Sequence, residues 1–320
     1  MGQPTRATTD ALSAIDLPTP EPGKGEVRVA VRAIGVNPVD WKMRSTGPLR
    51  LAARLLGPPL PFVPGVDFAG VVEALGAEVG GLAVGDRVVG GTDFSRGQRG
   101  SYADRVVVRR DQLCVLPEGV DLEAAGAMPV AGVTAWMAVV DIGRIRAIPE
   151  PERNVLVLGA SGGVGQLAVQ IARNEGARVV GVCSGVNVER VRALGADHVI
   201  DYKTTDPLEA ARAFGPYRVV VDCVGGYSPA RCRALLGPGG RHVMVPGDTF
   251  GAALQVLVPP FSSRLLLGNP TGARLAPLVE ALAAGRLHVE IAHRLPLADA
   301  EEAHRLSQSG RVAGKIVLTV

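Results

Sequence analysis

Cysteine is scarce in this 320-residue chain, and the four present, Cys114, Cys183, Cys223 and Cys232, form no Cys-x-x-Cys pair. That spacing excludes a zinc ribbon, and because three of the four lie in or beside apolar stretches they read as small core residues. Histidine is almost as sparse: His288 and His293 stand five apart, but no cysteine is near them and no His-Glu-x-x-His occurs, so no metal is expected. An excess of one charge is also lacking. With 34 basic and 31 acidic residues the net charge is +3, and no long run of Lys or Arg occurs, which argues against a nucleic-acid partner. The longest uncharged apolar stretch near the middle, residues 124–140, is short for a membrane span and is broken by Gly126, Pro129 and Gly132, so no membrane association is expected. No basic region precedes an apolar core at the N-terminus, and Arg6 stands where a myristoylation motif needs Ser or Thr, so the expected location is cytoplasmic. No internal repeat or low-complexity linker is evident.

What is present suits a globular protein of one or two domains, with 47% hydrophobic and 20% charged residues. Up to about residue 124 the chain reads as short strands with alternating polarity and Gly/Pro turns, among them 26–34, 63–75, 84–90 and 100–108. This predicts a mostly β first domain, a barrel or curled sheet. Residues 44–62 carry a short amphipathic helix with Arg50 and Arg54 on one side; a lid over a pocket and a plain surface helix are both open readings. From about residue 125 strands and helices alternate, which predicts an open parallel sheet with right-handed crossovers through residue 257. Residues 258–320, with a helix over 271–284 and a last strand GKIVLTV, read as a return to the first domain.

The stretch VLVLGASGGVG, residues 155–165, organises the second domain. Four apolar residues predict a buried parallel strand, and residues 166–176 place Leu167, Ala168, Ile171 and Ala172 on one helical face. The glycines therefore fall between a strand end and a helix N-terminus, where unpaired N–H groups and a partial positive charge hold a pyrophosphate. In the six-residue register the motif reads Ala160-x-Gly162-x-x-Gly165, with alanine at the first glycine position of the dinucleotide fingerprint. An acidic residue about 20 positions further on would bind the adenosine ribose. Here the next strand ends at Ser184, 19 residues after Gly165. A serine hydroxyl can donate to a 2′-phosphate that a carboxylate would repel, which favours NADP over NAD without excluding NADH. The competing reading is that Ser184 caps the following helix. Arg190 and Lys203 are the nearest basic residues, with Gly185 and Val186 directly after the serine.

In combination, PTPEPGKGEVRVAVRAIGVNPVDWK, PFVPGVDFAGVV, VGDRVVG, GSYADRVVV, LPEGVDLEAAGAMPVAGVTAW, GASGGVG, LGADHVIDY, VVVDCVGG and GRVAGKIVL resemble the medium-chain dehydrogenase/reductase family of the zinc-free, quinone-oxidoreductase-like kind, over almost the whole chain. The resemblance implies an α/β Rossmann doubly wound sheet inserted in a GroES-like, mostly β domain, with the active site in the cleft between them. The zinc-dependent relatives place a cysteine where Asn37 stands and a His-Glu pair where Val66 and Asp67 follow Gly65, so the ligands for catalytic zinc are missing.

Carried over position by position, the family pattern implies that Ser161, Gly163 and Val164 line the pyrophosphate. Ser184 and Tyr202 would meet the 2′-phosphate end, Val245 would lie near the nicotinamide, and Thr134 and Asn37 would approach the ring. The implied reaction is hydride transfer from NADPH to a small electrophile, a quinone or an α,β-unsaturated carbonyl. Lys42 is the candidate general acid, a solvated surface lysine being its competing reading. Asp40 reads as fixing a local turn. A homodimer is implied by the resemblance alone. The alternatives are an NADPH-binding sensor or structural protein without efficient turnover, and an enoyl-thioester reductase.

Overall fold

The computed structural model describes residues 5–8, 12–44, 61–245, 263–265 and 268–320. The chain divides into two compact units, Met1–Val133 with Asn269–Val320, and Thr134–Gly268. The expected joins were at 124/125 and 257/258. The first falls later because the helix Leu122–Ala127 packs against strands of the first unit, and the second because the strand Ser263–Leu265 pairs into the sheet of the second unit. The helix expected within 44–62 lies almost wholly outside the described residues.

The first unit is built on the strand β3 (Glu26–Val36), after the hairpin of β1 (Thr5–Thr8) and β2 (Ala14–Leu17). In β3 the alternation predicted from sequence is realised: Val27, Val29 and Val31 are fully buried, while Arg28 and Arg32 point away from that core. One edge of β3 pairs with β4 (Asp67–Leu75); the other is shared by β6 (Arg105–Arg109), along residues 26–30, and β15 (Lys315–Thr319), along residues 33–36. β5 (Arg87–Gly91) and β7 (Leu113–Val115) extend the sheet beyond β4, and β14 (Ile291–Pro296) runs parallel to β15. The return segment thus enters the same sheet as the N-terminal strands. The core joins the β3 valines to Ile34, Phe68, Val88, Tyr102, Val106 and Ile316, each side chain contributing roughly 1.5–3 kcal/mol by leaving water. Helices α1 (Pro38–Lys42), α2 (Leu122–Ala127), α8 (Gly272–Ala283) and α9 (Ala300–Gln308) belong to this unit, while α3 (Pro129–Trp136) carries the chain across the first join.

The second unit is a parallel sheet in the order β10-β9-β8-β11-β12-β13. These strands are β8 (Asn154–Leu158), β9 (Arg178–Cys183), β10 (His198–Asp201), β11 (Tyr217–Asp222), β12 (Leu236–Met244) and β13 (Ser263–Leu265). Residues 155–158 are fully buried, as a strand covered on both faces requires. α4 (Gly163–Asn174), α5 (Val188–Ala193), α6 (Pro207–Ala211) and α7 (Pro229–Arg233) supply crossovers between strands. From β8 the chain builds outward to β10, then crosses to β11 on the other side, so the switch point lies between the C-terminal ends of β8 and β11. That is where a doubly wound sheet opens a ligand crevice.

Candidate active site

The crevice in the second unit is shaped by the glycine turn. α4 starts at Gly163, three residues earlier than the apolar periodicity suggests, with Gly162 as its N-cap. Its first intrahelical bond runs from Gln166 N to Gly162 O (3.0 Å). The N–H groups of Gly163, Val164 and Gly165 therefore have no carbonyl of their own helix to meet and are available to an anion. Gly159 turns the chain with φ +77°, and a Cβ on Gly165 would collide with the Gly159 carbonyl, so only glycine lets α4 start this close to the end of β8. At Gly162 an added Cβ meets nothing nearer than 3.4 Å, which leaves the outer side of the turn open. Ser161 is half-buried on the same turn. These features fit a dinucleotide pyrophosphate.

The neighbouring strand ends carry the remaining expected contacts. Cys183, at the end of β9, pairs in register with Asp201 of β10, and Tyr202 N donates to Cys183 O (3.1 Å), so Ser184 and the exposed Tyr202 stand on adjacent strand ends. The Ser184 side chain makes no helix cap; its Oγ accepts from Asn187 Nδ2 (3.0 Å). A hydroxyl that accepts in this way keeps its own proton for an outside acceptor. Val245 follows β12, its N–H donating to Asp222 O (2.9 Å). Thr134 is buried in α3 against Gly268, whose Cβ position would collide with its hydroxyl.

Two carboxylates here were missed by sequence reading. Asp201 Oδ2 lies 2.5 Å from where a Cβ on Gly185 would stand, placing a negative charge beside the Ser184 turn. Asp222, fully buried at the end of β11, accepts at Oδ1 from Val224 N and Gly225 N (2.9 Å each) and so bends residues 222–225 across the switch point. Its Oδ2 is buried without a partner among the described residues. Burial raises its pKa, while the two backbone bonds oppose the shift.

The first unit holds a second constellation, a buried polar cluster. Asn37 precedes α1, and its backbone N–H donates to Asp40 Oδ2 (2.8 Å), so Asp40 does fix the local turn. The Asn37 carboxamide turns away from the helix: Nδ2 donates to Asp67 Oδ2 (2.8 Å) and Oδ1 accepts from Lys315 Nζ (2.6 Å). Lys315 Nζ also donates to Val36 O (3.1 Å) and lies 3.7 Å from Asp67 Oδ2. Asp67 Oδ1 accepts from Val130 N (2.9 Å). Burial pushes the Asp67 pKa up to about 6, against the Lys315 charge and these hydrogen bonds, and burial lowers the Lys315 pKa, against the charges of Asp67 and Asp40. Asp40 lacks such a partner; burial, reinforced by repulsion from Asp67, raises it to about 8, which keeps it protonated at neutral pH.

A hydrogen-bonded chain leads from this cluster to α9. Arg44 Nη1 lies 2.9 Å from His304 Nδ1, and Tyr102 Oη lies 2.9 Å from His304 Nε2. A guanidinium only donates, so Nδ1 accepts and the proton of the neutral imidazole sits on Nε2, donating to the Tyr102 oxygen. Burial and the Arg44 charge lower the His304 pKa to about 4, consistent with that neutral form. Tyr102 in turn donates to Asp40 Oδ2 at 3.5 Å. Lys42 ends α1 with Nζ 5.3 Å from the centre of the Trp41 ring. Asn37 and Lys42 thus stand at opposite ends of α1, but only Asn37 belongs to the buried cluster. Tyr102, His304 and Lys315 left no local signal in the sequence, since each meets its partners across distant segments.

The family model described as an alcohol dehydrogenase GroES-like domain matches residues 23–118, and the one described as a zinc-binding dehydrogenase matches residues 194–318. The donor set at the first of these regions does not suit zinc: Val66 is apolar, the Asn37 carboxamide is occupied at both ends, and both Asp67 oxygens already have partners. Among the described residues no group of three or more His, Cys, Asp or Glu side chains could hold a metal ion, and no helix is long and apolar enough to cross a membrane. The chain is 33% identical to the chloroplastic quinone oxidoreductase QR1 of Triphysaria versicolor, over 96% of this chain and 93% of that protein. It is 32% identical to the chloroplast envelope quinone oxidoreductase homolog of Arabidopsis thaliana, over 96% and 93%. The solved quinone oxidoreductase of Coxiella burnetii superposes with a TM-score of 0.86 at 29% identity, covering 99% of both chains. The strand–glycine turn–helix crevice and these full-length likenesses lead to one conclusion: the chain belongs to the medium-chain dehydrogenase/reductase family, in its quinone-oxidoreductase-like branch, and is an oxidoreductase.

Proposed function

We propose that the protein is an NADPH-dependent, zinc-independent reductase that transfers hydride to a quinone or an α,β-unsaturated carbonyl. The observation that carries this reading is the turn at Gly162–Gly165, where three N–H groups have no carbonyl of their own helix to meet and the Cβ side of Gly162 is open. When bound, the nicotinamide supplies the hydride, and the chain's own residues bind, orient and supply the proton. Gly163 and Val164 would hold the pyrophosphate, and the Ser184 hydroxyl would donate to the 2′-phosphate with Tyr202 beside it. The unpartnered Asp222 Oδ2 suits a ribose hydroxyl. Asn37 is a positioning residue, because its amide is committed to Asp67 and Lys315 and it fixes where α1 and Lys42 stand. Lys42 is the proton donor, and its removal is expected to lower kcat about 10²-fold. The zinc-independent reading is supported by the chemistry of the Asn37, Val66 and Asp67 positions.

The test is steady-state oxidation of NADPH and NADH with a panel of quinones, enones and enoyl thioesters. Turnover of quinones or enones with NADPH preferred is expected. Tight NADPH binding without turnover of any acceptor would contradict the reading in favour of a sensor, and turnover confined to thioesters would replace its substrate class.

A further inference from the structure

Helix α1 carries Lys42 but is poorly equipped to hold its own place. It has five residues, and a helix that short takes its position from tertiary contacts. Within it Asp40 is the buried residue, and it is polar; Pro38 is exposed, and Val39, Trp41 and Lys42 are half-buried. Met43, just beyond its end, adds one buried apolar side chain, so hydrogen bonds to neighbouring elements carry much of the placement. Helix α9 is better seated, because Ala300 and Ala303 lie in the core of the first unit.

His304 and Ser307 of α9 stand three apart and so share one face. Ser307 Oγ accepts from Trp41 Nε1 (3.1 Å), in the middle of α1. His304 works from both ring nitrogens: Nδ1 accepts from Arg44, two residues past α1, and Nε2 donates to Tyr102, whose hydroxyl reaches Asp40 inside α1. A neutral imidazole offers one acceptor and one donor, so both bonds stand at once; a phenyl ring of similar shape would keep neither. Lys42 Nζ lies 5.3 Å from the centre of the Trp41 ring, so the contacts that fix that ring also bear on the ammonium.

We infer that His304 latches α1 to α9 and is thereby a positioning residue for proton transfer from Lys42. The catalytic half of this inference rests on the reductase reading; the latch itself does not. The test compares the wild type with His304→Phe, alone and combined with Lys42→Met, by steady-state kinetics and by hydrogen exchange of residues 39–44, where Met43 N bonds Val39 O and Arg44 N bonds Trp41 O. His304→Phe is expected to lower kcat about tenfold and to leave the KM for NADPH within about twofold, because the glycine turn lies in the other unit. In the Lys42→Met background it should lower kcat no further, since the group it positions is gone. Exchange over residues 39–44 should quicken about tenfold in His304→Phe. Arg44→Met, which removes the other end of the Nδ1 bond from a half-buried position, should act in the same direction and serves if His304→Phe does not fold. An unchanged kcat, or an equal loss with and without Lys42, would overturn the positioning role, and unchanged exchange would overturn the latch. A wild type that turns over no acceptor would contradict the reductase reading instead, and the exchange comparison then decides the latch by itself.

Discussion

Gly165 has no room for a methyl group, since its Cβ would collide with the Gly159 carbonyl that fixes the approach of α4 to β8. Gly165→Ala is therefore expected to push the helix N-terminus off the strand end and weaken NADPH binding by about tenfold or more, as read by fluorescence titration. The same crevice holds Asp201 beside the Ser184 turn. A carboxylate there opposes a 2′-phosphate, so Asp201→Asn should raise NADPH affinity by roughly threefold to tenfold at low salt and leave NADH nearly unchanged. Ser184→Ala should shift the preference the other way. The glycine turn was legible in the sequence because strand, turn and helix are contiguous. Asp201 and Asp222 were not, because their meaning depends on which strand ends lie side by side. Ser184 allowed two readings until its hydroxyl was seen to accept from Asn187 instead of capping a helix.

At the level of elements, the junction of β3, α1, β4 and β15 depends on the buried pair of Lys315 and Asp67. Lys315→Met leaves the Asp67 carboxylate unpaired in the core and should cost about 3–5 kcal/mol in denaturant unfolding. The double variant with Asp67→Asn should recover most of that loss. Asp40 gives the cluster a pH dependence. Its folded pKa, about 8, is raised above the unfolded value near 3.8, so the folded state binds the extra proton between these values. Its favourable contribution is present at low pH and declines as pH rises from about 4 to about 8. Asp40→Asn mimics the protonated acid and should remove this decline. The melting temperature of the variant relative to the wild type should rise across that range and level off above it. The sequence disclosed Asn37 and Asp67 only as departures from the zinc ligands of relatives. Their link to Lys315 spans 278 residues for Asn37 and is made by the pairing of β15 with β3, which periodicity does not reveal.

For the whole molecule, the order of the elements was readable because the period of the apolar pattern changes near residue 125 and again after the last crossover. The placement of the joins was not, since α2 and β13 are assigned by what they pack or pair with and not by their own pattern. If the Asn37, Val66 and Asp67 positions bind no metal during catalysis, dialysis against a chelator should leave NADPH-dependent turnover unchanged. The central claim is that hydride passes from NADPH to an electron-poor carbon, and label transfer tests it most directly. With NADPH carrying deuterium at both C4 positions and an enone as acceptor, mass spectrometry should find one deuterium on the β-carbon of the saturated product. Binding of NADPH with no reduced product, or a reduced product free of deuterium, would contradict it.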